Sequence, residues 1–292
     1  MKRSLPSSRE PFPAPFRAML EQVLRHSGRV QGARMQTLRS RHQTLQQSGT
    51  FVGHRSYVKG DDLRRIDWNA YARTGTLFLK LLAEEEARAA TVLLDCSPSM
   101  GVGTPPRWAT AQRLAAVLGG LSLVHLDAVA VQTTRGATFQ GRAALAGMLD
   151  HLAALTFLPQ DPQAVAADLQ RRRAPSRVHW ISDFVDPTAT ERTLLRLRRA
   201  GCRVTGWLPT IPDDFRVEAD GWRLVCDPET GREVPLRVDV ALARAMTHEL
   251  QVLQRQQQRV FAACGFPLQR LTLPTETFDA GRWMEAGWSF RR

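Results

Sequence analysis

The chain has 292 residues, room for one large domain or a main domain with a small companion, and its 43% hydrophobic and 23% charged content is that of a soluble globular protein. A net charge of +12 permits contact with nucleic acid, anionic lipid or an acidic protein and selects none of them. No apolar run is long or clean enough for a bilayer span, Pro6, Arg9, Glu10 and Pro11 interrupt any signal-like core, and Cys96, Cys202, Cys226 and Cys264 form no C-x-x-C pair, so a soluble, cytoplasmic protein with buried free thiols is expected.

Residues 1–15 are rich in Pro and Ser and predict a mobile tail. An N-terminal extension follows over 16–88. Phe16 to Arg25 reads as a short amphipathic helix with Phe16, Met19, Leu20, Val23 and Leu24 on one side. Val30 to Gly49 is basic and glutamine-rich and is expected to lie on the surface. A dense block then runs from Gly53 to Lys80, with Gly60-Asp61-Asp62 as a turn and Ile66, Trp68, Leu77 and Leu79 available to pack on a sheet. Arg55, Arg64, Arg65 and Arg73 stand near Asp61, Asp62 and Asp67 in sequence. Local surface ion pairs, worth ~0–1 kcal/mol each, account for those charges; the other reading makes Asp61, Asp62, Arg64 and Asp67 a partner surface.

The core is placed at 89–210. Val92-Leu93-Leu94 suits a strand buried on both faces, which is continuous in apolar residues rather than alternating. It delivers Asp95, Ser97 and Ser99 at its carboxyl end, where open α/β sheets bind ligands. All three offer oxygen, the donor preferred by Mg²⁺, Mn²⁺ and Ca²⁺; a turn with a helix cap is the plain structural alternative. A helix is predicted over Trp108 to Leu123, strands over Ala128 to Gln132 and Ala137 to Gln140, and helices over Ala143 to Leu155 and Ala164 to Arg173. A strand then ends in Ser182-Asp183, giving a second acidic turn ahead of Asp186-Pro187. A helix from Glu191 to Ala200 and a strand from Cys202 to Leu208 complete the alternation, which argues for a parallel sheet with helices on both faces. Right-handed crossovers put the ends after Leu94 and Ile181 on one edge.

The segment 211–292 reads as a C-terminal extension. Two strands surround the turn Asp227-Pro228-Glu229-Thr230-Gly231. A long helix from Asp239 to Cys264 has Leu242, Met246, Leu250, Leu253 and Val260 as its inner face. A last strand covers Leu271 to Leu273, and the aromatics of Phe278 to Trp288 are expected to pack.

Several of these blocks, in this order, resemble the bacterial family called domain of unknown function 58. They are Gly53-His54-Arg55-Ser56, Tyr57 with Gly60-Asp61-Asp62, Arg64 with Ile66-Asp67-Trp68, Ala72-Arg73, Asp95-x-Ser97-x-Ser99-Met100, Ser182-Asp183-Phe184 and Asp227-x-Glu229-Thr230-Gly231. The resemblance implies an α/β core of the von Willebrand factor A-like (Rossmann-like) type, a mostly parallel sheet flanked by helices, with N- and C-terminal extensions. It also implies a metal-ion-dependent adhesion site in which Ser97 and Ser99 ligate the cation while Asp95 and Asp183 act through waters. Such domains bring a threonine to the metal from a loop that here reads Leu155 to Pro162. Asp161 or Gln160 stands near that place and Thr156 further back; Asp161 as N-cap before Pro162 is the structural alternative.

The expected function is a non-enzymatic interaction module that works with a MoxR-type AAA+ ATPase, as the resemblance implies, and takes a carboxylate from an acidic client. The alternative is a metal-dependent phosphoester hydrolase using the same edge with Asp61 or Asp62. Against that stand the missing Asp-x-Asp pattern and, for serine hydrolysis, a Cys-Ser-Pro-Ser-Met context unlike the nucleophile elbow. Nucleic-acid binding through the basic surface is a third class, without a recognised motif. No Gly-x-x-x-x-Gly-Lys-Ser/Thr is present, and Gly101-Val102-Gly103 does not match the dinucleotide fingerprint, so ATP hydrolysis is assigned to a partner.

Overall fold

The computed structural model describes residues 11–39, 50–58, 66–83, 89–103, 106–125, 128–133, 136–158, 161–172, 177–210, 217–218 and 221–272. Asp61, Asp62, Arg64, Gln160 and the segment from Phe278 to Trp288 lie outside them.

A six-stranded sheet forms the centre. Its strands are β3 (Ala89–Leu94), β4 (Ala128–Gln132), β5 (Ala137–Gln140), β6 (Arg177–Ile181), β7 (Arg203–Thr210) and β10 (Leu268–Thr272). They stand in the order β10-β7-β6-β3-β4-β5, and all neighbours are parallel except β4 and β5. The α/β class with a mostly parallel sheet is therefore as expected. A two-residue period sends Val92 and Leu94 to one face and Leu93 to the other, and each face carries its own buried cluster.

One face is covered by α1 (Ala14–Arg39), α3 (Arg107–His125) and α4 (Leu145–Ala153). The other carries α5 (Pro162–Arg172), α6 (Pro187–Arg199) and α7 (Val240–Ala263). The helix starts are legible in local chemistry. Asp186 caps α6 by accepting from the Thr188 and Ala189 N–H groups at 2.9 Å, with Pro187 in the first turn. Asp239 caps α7 in the same way through Leu242 N–H.

Several expectations need correction. Phe12 is buried and α1 begins at Ala14, so residues 12–15 belong to the fold and not to a mobile tail. The five apolar residues of the predicted N-terminal helix are buried as read, but the helix runs on to Arg39, with no proline after Arg25 to break it. β10 comes from the C-terminal extension yet completes the central sheet, so the core is not confined to 89–210. The dense block folds as β1 (Thr50–Ser56) paired antiparallel with β2 (Phe78–Ala83), with the short α2 (Trp68–Thr74) before β2. There Ile66 and Leu79 are buried, whereas Trp68 is 61% exposed, edge-on to Tyr71.

The buried face of α7 centres on Ala243, Gln257 and Phe261, and the five expected inner residues lie half-buried at its margin. Cys96, Cys202 and Cys264 are buried free thiols as expected; Cys226 is exposed. It closes β8 (Gly221–Cys226), which pairs with β9 (Glu233–Val238) in a hairpin separate from the main sheet. No helix among the described residues is long and apolar enough to cross a membrane.

Candidate functional site

The sheet register creates the site. β3 and β6 are adjacent and parallel with Leu94 opposite Ile181, so the turns that follow them emerge side by side. Asp95 N–H donates to Ile181 carbonyl oxygen at 2.9 Å and Ser182 N–H to Trp207 carbonyl oxygen at 3.1 Å, which extends the ladder by one step before both chains turn. Asp95 then ties the two turns together. Its Oδ1 accepts from Ser97 N–H at 2.8 Å and its Oδ2 from the Ser182 hydroxyl at 2.6 Å. The Asp95 and Asp183 carboxylates, from residues 88 positions apart in sequence, thus share one edge.

After Ser97 the chain makes a single 3-10 turn, Pro98–Gly101, which brings Ser99 back beside Ser97. Their hydroxyls share a hydrogen bond of 2.9 Å. Two oxygens binding one Mg²⁺ at right angles, each at about 2.0–2.1 Å, stand about 2.9 Å apart. The hydroxyl pair therefore already has the spacing of adjacent ligands.

Asp183 is 5% exposed and, among the described residues, its Oδ2 has no hydrogen-bond partner. Burial foremost, then repulsion from Asp95, raises its pKa; Ser99, Arg107 and Val185 N–H oppose that shift. A buried carboxylate oxygen without a donor costs free energy that a cation would recover. The residues present fit a hard divalent cation on two grounds: the orphaned Asp183 oxygen and an all-oxygen donor set. The set is two carboxylates and two hydroxyls; among the described residues no three His, Cys, Asp or Glu side chains form a metal group by themselves.

The Asp183 turn is held from behind. Phe184 has φ of 51°, the left-handed region that a bulky residue seldom enters. Its ring packs edge-on against Trp180 and Phe261, with centroids 5.1 and 5.0 Å away. The buried amide of Gln257 on α7 donates to the carbonyl oxygens of Asp183 at 2.9 Å and Phe184 at 3.2 Å. Gln257 is a positioning residue that sequence reading missed, because nothing distinguishes it from the other glutamines of that helix.

The loop after α4 lies alongside. Leu158 N–H donates to Cys96 carbonyl oxygen at 2.8 Å, and a Cβ on Gly101 would stand 3.0 Å from the Phe157 ring. Asp161 caps α5 by accepting from Gln163 N–H at 2.9 Å; among the described residues no contact joins its carboxylate to Asp95, Ser97, Ser99 or Asp183. The thiol of Cys96, beside Asp95, is pushed up to about 12 by burial and then by the Asp95 charge, which disfavours its thiolate.

Asp67, read as a partner-surface residue, is buried and structural in its contacts. Its Oδ1 accepts from the Asn69 and Ala70 N–H groups at the start of α2, and its Oδ2 meets His54 Nε2 at 2.8 Å.

One residue joins the edge from far away. Glu229, at the tip of the β8–β9 hairpin, accepts from Ser99 N–H through Oε1 at 3.0 Å. Within its turn motif Glu229 carries no local sign of this contact, since its partner lies 130 positions earlier.

The profile of the family described as "Protein of unknown function DUF58" matches residues 53–258. Uncharacterized proteins of Mycobacterium bovis and of two strains of Mycobacterium tuberculosis are 28% identical over 235 residues, covering 74% of this chain and 72% of each relative. Among solved structures, the conserved hypothetical protein BatB from Bacteroides thetaiotaomicron aligns with a TM-score of 0.36 at 13% identity, over 69% of this chain and 98% of that one. An aerotolerance-related membrane protein from Bacteroides fragilis gives a TM-score of 0.39 at 13% identity, over 70% of this chain and 99% of that one.

Proposed function

The chain belongs to the DUF58 family, and from that premise we propose that it is a non-enzymatic, divalent-cation-dependent protein-interaction module. Its core is of the von Willebrand factor A type by the resemblance of its motifs. Ser97 and Ser99 hold Mg²⁺, Mn²⁺ or Ca²⁺ directly, and Asp95 and Asp183 contribute through waters. Asp161 already spends one carboxylate oxygen on its helix cap, so these four residues carry the assignment. A cation bound there supplies an electrophilic anchor for a carboxylate of an acidic client protein. The motif resemblance further suggests a MoxR-type AAA+ ATPase as partner, in the cytoplasm, with ATP hydrolysed by the partner.

The observation that carries this reading is the buried Asp183 Oδ2, without a donor among the described residues, beside Asp95. Binding is the reading taken over turnover because both Asp95 carboxylate oxygens are already engaged by donors. Calorimetric titration of the chelator-stripped protein with Mg²⁺, Mn²⁺ and Ca²⁺, alongside Asp95→Ala, tests it. Binding by the wild type that disappears in a folded variant is the expected result. A wild type that takes up none of the three ions overturns the reading.

A further inference from the structure

The β8–β9 hairpin is exposed along the whole of β8 and most of β9. An isolated two-stranded ribbon is marginal in water and gains its order from what it touches. Its tip, in contrast, is tightly built. Asp227 Oδ1 accepts from Glu229 N–H at 3.0 Å and its Oδ2 from the Thr230 hydroxyl at 2.6 Å. Asp227 N–H donates to Arg232 carbonyl oxygen at 2.8 Å, and Gly231 supplies the left-handed φ of 69° that closes the turn. This turn satisfies Asp227 internally and leaves Glu229 as the carboxylate it presents. That carboxylate reaches Ser99 N–H, on the residue whose hydroxyl pairs with Ser97.

We propose that Glu229 is a built-in ligand of this edge, occupying from within the chain the place that an acidic partner takes, so that the hairpin must leave before a partner binds. The inference rests on the cation-site reading above. Two independent observations meet in it: a carboxylate delivered to Ser99, and on the same edge the buried Asp183 oxygen that has no donor among the described residues. The recognised ligand is by this argument a glutamate on a tight turn. Glu229 is itself exposed, so an incoming carboxylate competes for the same donors in contact with solvent.

A labelled synthetic peptide of residues 221–238 serves as the probe, titrated by fluorescence anisotropy into full-length wild type and Glu229→Ala with Mg²⁺ present. A short tether gives a local concentration in the millimolar range, so occupation in cis should weaken peptide binding to the wild type by about 10-fold or more. Binding to Glu229→Ala should vanish when Asp95→Ala is added, or when the peptide carries Glu229→Gln. Cys226 offers a second readout, since the other three thiols are buried. A nitroxide placed on it should be immobilised in the wild type and mobile in Glu229→Ala. Equal peptide affinity, or equal nitroxide mobility, in the two proteins overturns the inference while intact Mg²⁺ calorimetry leaves the cation site standing. Failure of both proteins to bind Mg²⁺ removes the reading and the inference together.

Discussion

His179 sits in β6, at the middle of the sheet, with 1% of its surface exposed. Trp207 Nε1 donates to its Nδ1 at 3.2 Å, so Nδ1 keeps its lone pair and the ring is neutral. A proton added there would set N–H against N–H. Burial first, and the charge of Arg177 second, bring its pKa from 6.5 to about 3. Because the folded value is depressed, the unfolded chain binds the proton first on acidification. The contribution to stability is complete above pH 6.5 and is lost as pH falls toward 3. From this group alone the unfolding free energy should drop by about 1.4 kcal/mol per pH unit well inside that window. Urea unfolding between pH 6.5 and 5, above most carboxylate titrations, should show the slope in the wild type and a flatter one in His179→Asn. Parallel slopes would remove His179 as the cause.

At the scale of elements, α7 rests on β7 through Gly206. A Cβ there would stand 2.3 Å from Cε1 and 2.4 Å from Cζ of Phe261, and 3.0 Å from a Leu268 methyl. Phe261 is fully buried between Trp180 and Phe184 and has no room to withdraw. Gly206→Ala should therefore cost about 2–3 kcal/mol by overpacking, and Phe261→Leu in the same chain should return part of it, as urea midpoints of the double-mutant cycle would reveal. The same packing shows what the sequence could convey. β4 and β5 end where their apolar patterns end, and Asp183 was legible as a second acid because parallel crossovers bring β6 beside β3. α2 was not legible, since a helix of seven residues that buries only Ala70 has no periodicity to read. The apolar spacing of α7 marks the margin of its inner face and not the centre, because the central contact is the polar Gln257, which a search for apolar spacing passes over. Glu229 meets Ser99 through two loops, and no local pattern encodes that meeting.

At the scale of the molecule, the sheet separates two cores, and the larger depends on an element outside the family match. Residues Thr110 to Leu123 of α3 are all buried, so this helix cannot be amphipathic and needs cover on every side. The sheet covers one side and α4 another; Phe12 and, from α1, Phe16, Met19, Leu20, Val23 and Leu24 supply the remainder. The approach is close enough that a Cβ on Gly120 would lie 3.2 Å from Leu24 methyls. Polar contacts fix its register: Arg113 Nε donates to Pro11 carbonyl oxygen at 3.0 Å, and the Ser27 hydroxyl hydrogen-bonds with His125 Nε2. Phe16 anchors the contact, stacked 5.6 Å from Phe12 with the Arg113 guanidinium 6.0 Å above its ring. Phe16→Ala should thus cost about 3–5 kcal/mol, the range for emptying a buried aromatic site. The urea m-value should stay unchanged if α1 unfolds together with the sheet. A loss below about 1 kcal/mol, or a separate early transition, would mean that α1 is an independent appendage and α3 carries its apolar face without it. With the predicted loss, α1 is a structural layer of the core that presents the Asp95 edge.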